Sequence, residues 1–273
     1  MTAWIVYRDH PATYAMILLG VQFTLGALEV RMPARRDWMQ PVQEKLLNLM
    51  IASVILVATY SLVLAYNSTL AEPLANFRSA LHLDLWPTNW PLLAQVFLAF
   101  FLSEFLLYWI HRAEHRWSLA WRLSGHGVHH SFKRLGAINF ALNHPVEILI
   151  LVVPSALVEL LFGAGIAAIG ATVLVAVQAS TVHSNLKLNT KWIGWIFTTN
   201  EFHLRHHSIV LAESNTNFGC SAIIWDRLFG TFGEGPTLET GIGPTEPSLW
   251  EKVMMPIYEP ADSEIAPGSL PSA

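Results

Sequence analysis

Charge is scarce in this sequence. Asp, Glu, Lys and Arg make up 13% of its 273 residues, against roughly 25% in soluble domains. With 53% hydrophobic residues and a mean hydropathy of +0.40, the composition points to a membrane protein. A net charge of −4 offers no basic excess for nucleic acid. The lone cysteine, Cys220, excludes an intramolecular disulfide framework and any cysteine-ligated zinc or iron–sulfur site. The opening "MTAWIVYRDHPATYAM" lacks a basic n-region followed by an A-x-A-type site, so no cleaved signal peptide is expected. Solenoid repeats, a dinucleotide fingerprint and a His-Pro-Gly-Gly haem motif are all missing. Histidine is the residue in excess. There are twelve, nine of them in two windows.

The apolar runs set the membrane map. A spanning helix needs about 20 mostly apolar residues. Thr13–Val30, Leu46–Tyr66 and Trp90–Ile110 qualify, the first with Glu29 near its end and the third with Glu104 inside. Val146–Thr181 is too long for one span and is interrupted by "FGAG" at 162–165. It reads as a helical hairpin of two arms, Val146–Phe162 and Ala164–Thr181, turning at the glycines. The expected fold is all-α: a multi-spanning membrane bundle of about three spans plus a hairpin, with a histidine-rich cap. The cap is built from helix extensions and residues 184–259. Basic residues collect beside the histidines (Arg112, Arg116, Arg122, Lys133, Arg134) and between the first two spans (Arg31, Arg35, Arg36, Lys45). The loop 67–89 has Arg78 alone. By the positive-inside rule the histidine side is cytoplasmic, with Trp86 and Trp90 in an aromatic belt on the far side. Residues 1–259 read as one membrane-embedded catalytic domain. The Pro/Ser/Ala-rich stretch 260–273 is expected to be a disordered tail.

The histidines follow helical spacing. His111 and His115, in "HRAEH", are four apart and share a helix face. His126, His129 and His130 in "HGVHH" stand at i, i+3 and i+4, and His203, His206 and His207 in "HLRHH" repeat that spacing. His183 stands alone at the end of the hairpin. Both groups can serve one site because the hairpin returns the chain to the side it left. Nine imidazoles exceed what one ion accepts, whereas two ions with four or five each would use them. Such an all-nitrogen shell suits oxygen activation against a C–H bond, for which zinc would be redox-silent. Scattered His10 and His82 read as surface residues, and His144, before Pro145, as ordering the hairpin entrance.

"HRAEH", "HGVHH" and "HLRHH" resemble the three histidine boxes of the fatty acid hydroxylase/sterol desaturase superfamily of integral membrane enzymes. "LLYWIHRAEH", "NHPVE" at 143–147, "HSN" at 183–185 and "NFGCSAIIWDRLFGTF" at 217–232 are similar to its other elements, so the likeness runs from about residue 90 to 232. It implies a pair of iron ions held by His111, His115, His126, His129, His130, His183, His203, His206 and His207. It also implies O2 as co-substrate and electrons from a separate donor: a reductase, ferredoxin or cytochrome. Lys187 stands where some members place a further histidine, so Asn185 or water is the candidate there. Glu104, two turns below His111, is expected to support a histidine. Asp226 either orients a histidine or pairs with Arg227, and Glu114 is expected to face solvent. The implied activity is oxygen-dependent oxidation of a membrane lipid: hydroxylation or desaturation of a sterol, fatty acyl or related lipid. Oxidative demethylation or alkyl-chain cleavage is the alternative within the superfamily. A non-catalytic membrane metal-binding protein is the alternative outside it. The basic face around Arg112, Arg116, Lys133 and Arg134 would receive an acidic donor.

Overall fold

The computed structural model describes residues 1–258 apart from 9, 11 and 84; the tail 260–273 lies outside the described residues. The described chain is helical. Short α1 (Thr2–Tyr7) precedes α2 (Thr13–Arg31), α3 (Val42–Thr69) and α4 (Ala71–Ala80). Then come α5 (Leu92–Arg116), α6 (Ser118–Ser124) and α7 (His126–His130). The hairpin is α8 (Pro145–Phe162) and α9 (Ile166–His183), followed by α10 (Asn200–His206), α11 (Leu211–Ser214), α12 (Ile224–Phe229) and α13 (Leu249–Met254). Among the described residues there is no strand, only isolated bridges at Pro33–Leu186 and Ser208–Thr240. Five helices, α2, α3, α5, α8 and α9, are long and apolar enough to cross a membrane. The all-α multi-spanning reading holds, with the hairpin arms counted among the five.

Local chemistry explains the boundaries. His144 caps α8: its Nδ1 accepts from the Val146 N–H at 3.1 Å, its Nε2 donates to the Val253 carbonyl at 3.2 Å, and Pro145 fills the first helical position. Gly163 ends α8 at φ +70°, the left-handed geometry that favours glycine. Gly125, at φ +73°, separates α6 from α7, and a Cβ there would lie 2.6 Å from the His144 Cβ. This glycine therefore lets the second histidine box sit directly on the entrance of α8.

α9 is the central helix. Gly170 lets Trp4 and Val96 approach within 2.6 Å of where a Cβ would stand, and Trp4, Val96, Phe100, Ala167 and Ala171 share one apolar cluster. α2 and α3, by contrast, turn large apolar residues outward: Phe23 is 81% exposed and Val54 70%, as lipid contact requires. Trp86 departs from the expected belt. It is buried, and its indole N–H donates to Gln95 at 2.8 Å. The cap also departs from expectation. Residues 193–198 and α12 lie along α5 rather than above it. Phe197 packs on Phe100 and Phe101, and Trp225 packs on Phe105.

Candidate metal centre

All nine histidines are buried and fall into two clusters. His111, His115, His126, His130 and His206 form one; His129, His183, His203 and His207 form the other. In each, the candidate ligand nitrogens all lie within 4.8 Å of one another. Each H-x-x-H-H box is divided between the clusters. His126 and His130 enter the first and His129 the second; His203 and His207 enter the second and His206 the first. The clusters abut, with the His130 and His207 rings stacked at 4.4 Å between centroids.

The hydrogen bonds fix which nitrogen carries the proton. His111 Nδ1–H donates to the Phe218 carbonyl at 2.7 Å and His206 Nδ1–H to the Thr216 carbonyl at 2.9 Å. His183 Nδ1–H donates to the Ala179 carbonyl at 2.7 Å, and His126 Nδ1 and the Glu147 carboxyl share a proton at 2.5 Å. A neutral imidazole has one N–H, so each ring bonded to a carbonyl, His111, His206 and His183, presents a bare lone pair at Nε2. Burial, with neighbouring imidazoles, holds His126 and His206 well below the ordinary histidine range, which keeps them neutral. Yet His111 Nε2 lies 3.0 Å from His126 Nε2 and 2.9 Å from His206 Nε2. Lone pairs that converge so closely repel each other unless a cation lies among them. The second cluster repeats the approach, with Nε2 separations of 3.2, 3.0 and 3.1 Å along 129–183–203–207. The donor set thus fits two imidazole-bound ions, one with five nitrogens and one with four.

The supporting carboxylates are arranged differently from the sequence expectation. Glu104 and Asp226 form no hydrogen bond to any of the nine histidines. Glu104 accepts from the Ser221 N–H at 2.8 Å. Asp226 accepts from the Phe218 and Gly219 N–H groups, each at 2.7 Å, and from the Thr231 hydroxyl at 2.7 Å. Together they grip the loop 217–221, whose Phe218 carbonyl orients His111. Burial raises the Asp226 carboxyl to about 6, against the opposing pull of the Thr231, Gly219 and Phe218 bonds. Arg227 is not its partner. It donates to the Gly194 carbonyl at 3.0 Å and stacks on Phe232. The carboxylate that meets a histidine is Glu147, inside the quoted "NHPVE" but assigned no role from sequence. Glu114 is buried beside it, 3.8 Å from His126 Nδ1, not solvent-facing. Its place three residues after His111, a spacing that shares a helix face, was the available signal.

Asn185 is turned away from the histidines. Its side chain accepts from the Arg35 N–H at 2.9 Å and donates to the Arg35 carbonyl at 2.8 Å, and Lys187 is exposed. Glu29 ties this region together, with one carboxylate oxygen accepting from both Ala137 N–H and Asn185 N–H. Of the basic residues beside the histidines, Arg134 pairs with Glu44 at 2.7 Å and Arg112 donates to the Tyr108 hydroxyl. Arg116 remains exposed.

Comparison with known proteins agrees with this geometry. Residues 96–231 match the model of the family described as Fatty acid hydroxylase. The chain is 37% identical over 172 residues to the ornithine lipid hydroxylase OlsE of Rhizobium tropici, covering 62% of this chain and 50% of that protein. It is 28% identical over 158 residues to the very-long-chain aldehyde decarbonylase GL1-11 of Oryza sativa subsp. indica, covering 56% and 57%. To GL1-8 of Oryza sativa subsp. japonica it is 30% identical over the same length, covering 56% of each. The chain therefore spans about half the length of the curated relatives it matches. No solved structure matches it. With the nine histidines gathered and the family model laid over them, the chain belongs to the fatty acid hydroxylase family.

Proposed function

We propose that this chain is an oxygen-dependent di-iron oxidoreductase that hydroxylates a membrane lipid. The observation that carries the reading is the pair of buried clusters of converging imidazole lone pairs at the end of membrane-spanning helices. A pair of irons, when bound, supplies the one-electron steps that couple oxygen reduction to oxidation of a C–H bond. The chain's own part is to hold nine nitrogens, with its nearest carboxylates Glu147 and Glu114 behind the His126 ring at Nδ1 rather than among the ligand atoms, and to exclude water. Phe218, Thr216 and Ala179 keep the ring protons at Nδ1, away from the ions, where Glu147 also meets His126. His111, His115, His126, His130 and His206 would hold one ion and His129, His183, His203 and His207 the other, with Glu104 and Asp226 as positioning residues.

Kinship with an ornithine lipid hydroxylase favours a polar-headed lipid over a sterol and hydroxylation over desaturation. Kinship with aldehyde decarbonylases supports one second reading, cleavage of an alkyl chain. The chain in nanodiscs with two irons, a chemical reductant, labelled oxygen gas and a bacterial lipid extract containing ornithine lipid should give a lipid with one labelled oxygen atom. An unlabelled new double bond would make it a desaturase. A shortened chain would favour cleavage. No oxygen-dependent lipid change would overturn the enzyme reading and leave a metal-binding protein. Electrons come from a separate acidic carrier docking near exposed Arg116. The histidine side is cytoplasmic. Cysteines at Lys187 and Leu81 should label from opposite sides of the membrane, the first from the cytoplasm.

A further inference from the structure

The segment after the hairpin carries an unusual outer surface. Trp192 is 80% exposed, Ile193 57% and Trp195 62%. In an aqueous cap this would be a costly cluster. Its inner side fixes its depth. Phe197 packs on Phe97, Phe100 and Phe101 of α5, at 6.5, 5.8 and 5.9 Å between centroids. Phe101 precedes His111 by ten residues, about 15 Å along the helix, and the hydrocarbon layer is about 30 Å thick. Two further anchors agree. Gln178, five residues before the end of α9, donates to the Thr198 carbonyl at 2.6 Å. Glu104, about 10 Å below His111 by helical rise, accepts from the Ser221 N–H.

The backbone is built for the same environment. Irregular chain in hydrocarbon must satisfy its own polar groups. Gly194 N–H donates to Thr190, Trp195 N–H to Trp192, Ile196 and Phe197 N–H to Ile193, and Thr198 N–H to Ser221. The Gly194 carbonyl receives Arg227, and the Ile196 carbonyl receives the Ile224 N–H. The Arg227 guanidinium lies over the rings of Phe232 and Trp195, at 3.7 and 4.7 Å. From 194 to 198 every N–H has an acceptor, and only those of Trp192 and Ile193, where the element begins, have none among the described residues.

The geometry points to a re-entrant element: residues 192–197 dip into the bilayer beside α5, and their partner is the acyl-chain layer of the leaflet on the histidine side. The loop that orients His111 hangs from this element through the Thr198–Ser221 and Ile196–Ile224 bonds. The inference rests on the membrane placement of α5 and is independent of metal and of catalysis.

Spin labels on cysteines at Ile193 and Ile196, in the full chain in lipid nanodiscs, test it. The parent chain, with Cys220 alone, gives the labelling background. Phe23 on α2 is the lipid reference and exposed Glu239 the aqueous reference. Labels at 193 and 196 should collide with oxygen as Phe23→Cys does and lose the collisions with a nickel chelate seen at Glu239→Cys. A nickel-accessible label at either site overturns the proposal. A measurement without cysteine guards against a misfolded variant. Lipids brominated at mid-chain should quench the parent's tryptophan fluorescence more than that of Trp192→Phe/Trp195→Phe. Equal fractional quenching would overturn it as well.

Discussion

The two histidine clusters differ in how their rings are held. In the five-nitrogen cluster, four rings are steered from behind: His111 by the Phe218 carbonyl, His115 by the Asn215 side chain, His126 by Glu147 and His206 by the Thr216 carbonyl. In the four-nitrogen cluster only His183 has such a partner, the Ala179 carbonyl of its own helix. The remaining rings there are set mainly by each other, with centroids 4.7 Å apart for His129–His207 and for His203–His207. The first half is positioned by the surrounding fold, the second largely by mutual packing. A disturbance of the scaffold should therefore be felt chiefly in the five-nitrogen half.

The largest effects should come from removing a ligand in each half. His206→Ala and His203→Ala should each lower activity by more than about 100-fold, beyond the usual cost of losing a supporting residue. Each should cut metal content from two per chain to one or none, by elemental analysis. Two metals retained in either variant would remove that residue from the set and blur the division. A smaller effect follows from the outer carboxylate. Glu147→Ala should weaken metal binding by roughly 10- to 100-fold, with metal lost to a chelator in a first phase of one ion per chain. Loss of both ions at equal rates would break the contrast. Smaller again, Asp226→Ala leaves the Phe218 and Gly219 N–H groups without their acceptor. It should lower stability by roughly 1–3 kcal/mol, seen in thermal unfolding, and speed chelation of the first ion only. The least effect is expected from Lys187→His. The helix ends at His183 and residue 184 is extended, ψ 141°, so the new ring is not one helical turn above His183. Metal content and activity should stay within error, and a gain in metal affinity would mean that the four-nitrogen half admits another ligand.

Much of this was readable in the chain. Apolar length revealed the spans, and Gly163 marked the hairpin turn where the structure bends. Helical spacing gathered the nine histidines but not their division. At about 100° per residue, i and i+4 lie about 40° apart, while i+3 stands about 60° to the other side. One helix face is thus wide enough to address two ions, and the pairs His126–His130 and His203–His207 segregate by that angle. Glu147 was hidden because its role depends on α8 meeting α7 across Gly125, a tertiary contact with no local signature. Glu104 stood out as a carboxylate inside an apolar run, but its partner is a backbone amide 117 positions away. Periodicity cannot reveal such a pairing.

The division of the boxes also has a consequence in time. Protein synthesis runs from the N-terminus, and the hairpin α8–α9 separates the two halves of the histidine set. Before the hairpin is made, His111, His115, His126 and His130 already exist, four of the five nitrogens of one cluster. The other then has His129 alone. Were an ion to arrive during synthesis, it would meet one pocket nearly complete and the other barely begun, and the order of the chain would then set the order of loading.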